Sequence, residues 1–343
     1  MTNTYKNVYI KETSTIASIY EENGPLKKYF DKIYNKDLYF GEKSFEKAEI
    51  KLLKDSIKLL LNKTKLKEKD IDLLISGDLL NQIAASDYSA REFKIPFLGI
   101  YNACATSGEG LIIASTFIDS KKATNCIVAT SSHNMGAEKQ FRNPTEYGTQ
   151  KPDTATFTVT GGASILLTNK KTDIRIDSTT TGMVIDKGTT DVNHMGAVMA
   201  PAAADTIYKH LTNTKRTIKD YDLILTGDLG KFGKEILIEY LKKVYNIDIS
   251  MKYNDCGTMI YDINKQPVLA GGSGPVCSAL VNFGYIYKML KKKKYKRVLL
   301  VPTGAIFSPT LIFQKESIPA IAHAISLEVV EQWYIFMHLY SVV

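Results

Sequence analysis

One apolar heptapeptide occurs twice in this chain. Leu73-Leu74-Ile75-Ser76-Gly77-Asp78-Leu79 returns as Leu223-Ile224-Leu225-Thr226-Gly227-Asp228-Leu229, 150 residues later. Each copy follows an acidic residue, Asp72 or Asp222, and precedes a helical stretch. Each reads as a buried strand ending in a Gly-Asp turn. The surrounding elements repeat as well. Asn125 to Thr130 reads as a strand after one helix, and Arg297 to Val301 as a strand after the helix Val276 to Leu290. Gly161 to Leu167 and Ala320 to Leu327 read as small-residue strands closing each half. Two copies of a β-α-β-α-β-β order imply an internal duplication, with halves at 1–170 and 171–327 and an atypical apolar tail at 328–343.

Alternating strands and helices predict a mixed α/β sheet covered by helices on both faces. Two helices carry small residues where a surface helix would carry charge: Gly108, Gly110, Ala114 and Ser115 on one, Ser278 and Ala279 on the other. Helices of this kind suit a buried central layer between two sheets, giving a five-layer α/β/α/β/α arrangement. Phe45 to Leu61 and Lys234 to Val244 alternate apolar with Lys and Glu positions and read as outer, solvent-facing helices. Ser132 to Asp153 shows neither period, contains Asn143-Pro144 and Lys151-Pro152, and reads as a long functional loop.

Composition narrows the function. The chain has 343 residues, 44% hydrophobic and 23% charged, as expected of a globular protein. Its polar first residues predict no secretory signal, and no apolar run long enough to span a bilayer precedes the extreme C-terminus. Four cysteines, Cys104, Cys126, Cys256 and Cys277, form no CxxC pair, which argues against a metal site or a disulfide framework and for a reducing compartment. The net charge of +8 gathers at Lys63 to Lys67 and Lys291 to Lys294. Solvated helix ends account for such runs, and attraction to an anionic membrane surface is the functional counterpart. No nucleic-acid-binding signature is present.

The stretch Gly99 to Gly110 carries the chemistry. Cys104 sits between the apolar run Ile95–Tyr101 and the small-residue helix Ala105–Ile118. Free N–H groups at a helix start favour a thiolate, the usual form of an acyl-transfer nucleophile. A small buried cysteine used for packing is the structural counterpart.

Four stretches place the chain beside a known family: Ser76 to Gln82; Thr130 to His133 with Ala137 to Arg142 and Thr145 to Gly148; Met195 to Ala203; and Gly271 to Gly274. With the duplication and the junction cysteine they resemble the thiolase and ketoacyl-synthase superfamily, and within it the stage V sporulation protein AD family, from about Tyr5 to Leu327. The resemblance implies a thiolase-like fold without established acyl-transfer turnover. It implies a role in sporulation and spore germination, and binding of dipicolinic acid (pyridine-2,6-dicarboxylate), free or as its calcium chelate, with no cofactor and no metal site. It further implies partnership with membrane proteins of the stage V sporulation A complex that move dipicolinate into the developing spore. Peripheral attachment at the inner membrane of the forespore and a homodimer are also implied. Thiolase-like enzymes use a second-half histidine in a Gly-His-Pro-type turn, and the matching turn here, Gly271 to Pro275, has none. His323 lies in an apolar strand and reads as a core histidine, whereas His194 reads equally as a helix cap or a pocket residue. The competing reading is an acyltransferase with Cys104 as nucleophile and His133 or His194 as base.

A flat dianion needs cations, N–H donors and an apolar slot. Lys139, Arg142 and Lys151 are the cations of the mid-chain segment, and His133 and Gln140 its neutral donors. The Cys104 helix start adds N–H groups. Asp78 and Asp228 read as caps of their Gly-Asp turns, with Asp78 the one expected to reach the pocket. The candidate ligand set is Cys104, Asp78, His133, Lys139, Arg142, Asn193, His194 and Ser273. The tail, which holds Trp333, reads as a membrane-surface anchor, a packing segment or the product of a frame slip.

Overall fold

The computed structural model describes residues 1–141 and 150–330. Ten strands carry the architecture. In the first half they are β1 (Tyr9–Ser18), β2 (Leu73–Gly77), β3 (Phe97–Gly99), β4 (Asn125–Ser132) and β5 (Gly161–Thr168). In the second they are β6 (Ile174–Thr180), β7 (Leu223–Thr226), β8 (Tyr253–Asp255), β9 (Arg297–Val301) and β10 (Ala324–Val329). The hydrogen-bonded order is β8-β7-β9-β10-β6-β1-β5-β4-β2-β3. β1–β5 and β5–β4 are antiparallel, then β4–β2 and β2–β3 parallel. The second half repeats this: β6–β10 and β10–β9 antiparallel, β9–β7 and β7–β8 parallel. The two five-stranded sheets meet at one residue pair, Tyr9 and Arg175. The duplicated heptapeptide thus supplies the equivalent strands β2 and β7.

The principal helices are α1 (Phe45–Thr64), α2 (Ala84–Ala90), α3 (Thr106–Asp119), α4 (Asn134–Phe141), α5 (Met195–Thr214), α6 (Gly230–Tyr245) and α7 (275–291), the last broken by a π-turn at Val281–Ile286. Each forms for a local reason. The Ser44 hydroxyl caps α1 by accepting from the Lys47 N–H, and Leu52, Leu53, Ile57 and Leu60 face the sheet. In α7 the residue Pro275 occupies the first turn, where its missing N–H costs nothing. α1 and α2 cover the first sheet, α5 and α6 the second, and α3 and α7 lie between the sheets. The central helices approach closely because serine faces serine: Ser107 Oγ lies 3.1 Å from Ser278 Oγ. The five layers are therefore α/β/α/β/α.

Two sequence expectations are corrected. Asn134 to Phe141 is a helix, not a loop; it is only eight residues long, too short to show a period, and its start is fixed by the Asn134 N–H donating to Thr160 Oγ1 at 2.9 Å. Glu328 and Val329 belong to β10, where Glu328 binds Arg175 and Arg297, so the atypical stretch begins later. Trp333 and the rest of the tail lie outside the described residues.

The backbone of α1 lies directly on β5 at Gly162, where a Cβ would stand 2.4 Å from the Leu52 carbonyl oxygen. Gly162→Ala is therefore expected to cost about 1–3 kcal/mol, because backbone must move to admit the methyl. An unchanged urea midpoint would contradict this contact.

Candidate functional site

The site forms where the start of α3 meets the carboxyl end of β7. Its first half is a turn that brings Cys104 out of β3. Ala103 adopts φ +47°, an uncommon left-handed conformation for a residue with a side chain, immediately before the cysteine. The Thr106 hydroxyl braces this turn, accepting from the Asn102 N–H at 3.2 Å and donating to the Ala103 carbonyl at 2.7 Å. The second half contributes Asp228, buried at 1% exposure, with Thr303 and Gly274. Asp228 Oδ2 accepts from the Gly274 N–H at 3.0 Å, and Oδ1 accepts from the Thr303 hydroxyl at 2.9 Å. Gly274 is held at φ +98°, which suits glycine and aims its N–H at this point.

The thiol of Cys104 faces the Asp228 carboxyl, and each group bears on the other's ionisation. Burial, and then the Asp228 charge, push the thiol well above its ordinary range. Burial, aided by the nearby charge of Asp255, pushes Asp228 up to about 7 against the opposing effect of the adjacent Cys104 thiol. The expectation of a helix-stabilised thiolate is overturned: desolvation and an adjacent carboxylate outweigh the partial charge of the helix start.

Above this pair opens a cavity of about 110 Å³, on the scale of cavities that admit one aromatic ring. Its walls are largely apolar. Leu79, Tyr101, Ala137 and Phe141 come from the first half, and Val192, Met195, Met199, Ala305 and Phe307 from the second. The rings of Phe141 and Phe307 meet with centroids 5.3 Å apart, one from each half. Thr156, Thr158, Asn193 and Ser273 supply polar edges, and Glu138 and Asp228 are the acidic lining residues. Among the described residues no Lys, Arg or His lines the cavity, and no group of three His, Cys, Asp or Glu side chains is arranged to hold a metal ion.

The candidate ligand set divides. Cys104, Asn193 and Ser273 line the cavity. Asp78 does not: its buried carboxylate accepts from the N–H groups of Leu80 and Ser86 at 2.9 and 2.7 Å and holds the turn after β2. His133 is buried between Phe40 and Phe45, its Nε2 2.8 Å from the Leu38 carbonyl oxygen, away from the thiol. The His194 Nδ1 accepts from the Ala197 N–H at 3.3 Å and caps α5, while its neighbours Asn193 and Met195 face the cavity. Lys139 is exposed and paired with Glu46 at 2.6 Å. Lys151 pairs with Glu138 at 2.8 Å, and Gln140 spans Leu79 and Asn81. Arg142 lies outside the described residues. His323 is buried, with Nε2 2.8 Å from the Asn102 amide and Nδ1 accepting from the Gly182 N–H, and burial alone pushes it down to about 4. Asp228 and the aromatic walls were missed. The available signal was the position of residue 228 at the carboxyl end of a parallel strand, where ligands gather in α/β sheets.

The family model for stage V sporulation protein AD matches residues 2–328. Stage V sporulation protein AD of Bacillus subtilis (strain 168) is 48% identical over 321 residues, covering 94% of both chains. This chain belongs to the stage V sporulation protein AD family. Its fold is shared more widely. The 3-oxoacyl-[acyl-carrier-protein] synthase III from Aquifex aeolicus VF5 superposes with a TM-score of 0.55 at 13% identity, over 94% of this chain and 99% of that one. A variant of OleA from Xanthomonas campestris gives 0.59 at 13% identity, over 95% and 99%. At that identity the likeness establishes a thiolase-like fold. No helix among the described residues is long and apolar enough to cross a membrane.

Proposed function

We propose that this sporulation protein is a non-catalytic receptor for dipicolinate, free or as its calcium chelate. In this reading it holds the ligand in the cavity above Cys104 and Asp228. It serves movement of dipicolinate into the developing spore together with membrane proteins of the stage V sporulation A group, from the surface of the forespore inner membrane. One observation carries the reading: a thiol facing a carboxyl, with no imidazole among the described residues of the wall, at the floor of a cavity sized for a single ring. Acyl transfer needs a thiolate and a positioned base. A carboxylate beside the sulfur opposes the first, and His133, His194 and His323 are each engaged elsewhere. Apolar walls with Ser273, Thr156, Thr158 and Asn193 at the edges suit a flat ring bearing polar substituents.

Calorimetric titration with sodium dipicolinate is expected to show saturable 1:1 binding at millimolar ligand or below, and incubation with acetyl-coenzyme A is expected to leave the intact mass unchanged. An absence of binding removes the receptor; an acyl adduct on Cys104 removes the non-catalytic assignment. Lys139→Ala is expected to change dipicolinate affinity by less than about twofold, because an exposed ion pair with Glu46 contributes little and the ammonium is not in the wall. A tenfold loss would place that cation at the ligand.

A further inference from the structure

The receptor reading brings a doubly negative ligand to a cavity whose floor is a carboxyl. The groups facing Asp228 leave few ways to accommodate it. From the turn before α3 comes the Cys104 thiol, and from the end of β8 come Asp255 and Cys256. From α7 comes Cys277, and from the strand Thr303–Ala305 the Thr303 hydroxyl. Across the cavity stand Tyr101 and, on α4, Glu138 with its partner Lys151. Among the described residues the cation in this shell is Lys151, and it is engaged by Glu138. The N–H of Gly274 already donates to Asp228. A ligand carboxylate arriving here meets a buried carboxylate that no described cation offsets. Two carboxylates at contact in a poorly solvated site resolve their repulsion by sharing a proton.

Building on the receptor reading, we infer that the site takes one proton with each dipicolinate: Asp228 is protonated when the ligand is bound and donates its O–H to a ligand carboxylate. The proton comes from solvent, so dianion, proton and ionised Asp228 give a neutral Asp228 bonded to the dianion. Geometry leaves Asp228 suited to this. One oxygen is fixed by Gly274 and the other by Thr303, so the carboxyl is held at the cavity floor in either charge state. Its midpoint near 7 means the proton is gained at little cost at neutral pH. Dipicolinate itself stays doubly ionised over this range.

The test is calorimetry with sodium dipicolinate and a calcium chelator, in phosphate and in Tris, at pH 6 and pH 8. The difference in heat between buffers gives the protons taken up. About 0.9 proton per ligand is expected at pH 8 and about 0.1 at pH 6, with affinity falling toward tenfold per pH unit above 7. Asp228→Asn is expected to take up none at either pH and to bind with a flat pH profile. Infrared difference spectra of the wild-type protein are expected to show a protonated carboxyl band appearing on addition of dipicolinate at pH 8, which requires no variant to fold. Saturable binding without proton uptake at pH 8, uptake unchanged in Asp228→Asn, or no such band overturns the inference while leaving the receptor intact. No binding by the wild-type protein at either pH overturns the receptor, and the inference with it.

Discussion

Asp228→Asn is expected to stabilise the protein at pH 8 by about 3–4 kcal/mol and to leave it nearly unchanged at pH 4. The direction follows from the shift. Burial raises this carboxyl from 3.8 to about 7, so between those values the folded state keeps a proton that the unfolded chain has released. The stability contributed by that proton is complete below about pH 4 and is lost as pH rises through 7. Asparagine has no charge to bury and avoids the loss, while its amide still reaches Gly274 and Thr303. Urea unfolding at the two pH values measures it. Equal destabilisation at both would mean that the carboxylate is needed for its hydrogen bonds. The same variant is expected to alkylate with iodoacetamide at Cys104 about tenfold faster at pH 8, because the charge that opposes the thiolate is gone. An unchanged rate would show that burial alone controls the sulfur.

Arg216→Ala is expected to cost about 3–5 kcal/mol at pH 7. Arg216 follows α5 and reaches into the second sheet. Its Nη2 lies 2.6 Å from Asp177 Oδ2, and its Nη1 donates to Ser178, Tyr221 and Ser326 at 3.3–3.4 Å. The Asp177 side chain is 4% exposed, so removing the guanidinium strands a buried charge. Tyr221 is in turn hydrogen-bonded to His210, which bonds Thr180 of β6. Urea unfolding of the variant at pH 7 measures the loss. A deficit below about 1 kcal/mol, the value of an exposed ion pair, would contradict a buried pairing here.

The fold was largely legible because duplication constrains it twice. The strand before Gly77-Asp78 and the strand before Gly227-Asp228 are read by the same rule, and small residues on α3 and α7 announce helices that are buried over most of their length. The site was less legible, for two physical reasons. The segment 134–141 is a two-turn helix, so residues 137, 138 and 141 face the cavity while 139 points off that face toward Glu46. Read as a loop, all its cations seemed free to converge. The pseudo-symmetry also misleads at the aspartates. Asp78 satisfies the N–H groups after β2, but in the second half that work falls to Asp255, which accepts from Leu229 and Gly230 at 2.9 and 3.0 Å. Asp228 is thereby released to face Cys104. Equivalent positions with identical neighbours thus do different work, and only the three-dimensional partner distinguishes them.

The most direct measurement is a crystal structure of the protein grown with sodium dipicolinate near pH 7. The expected result is the pyridine ring between the apolar walls that include Tyr101 and Phe307, one carboxylate within hydrogen-bond distance of Asp228, and an unmodified Cys104. A ligand bound elsewhere on the molecule, or an empty cavity at a concentration that saturates the titration, would contradict the account.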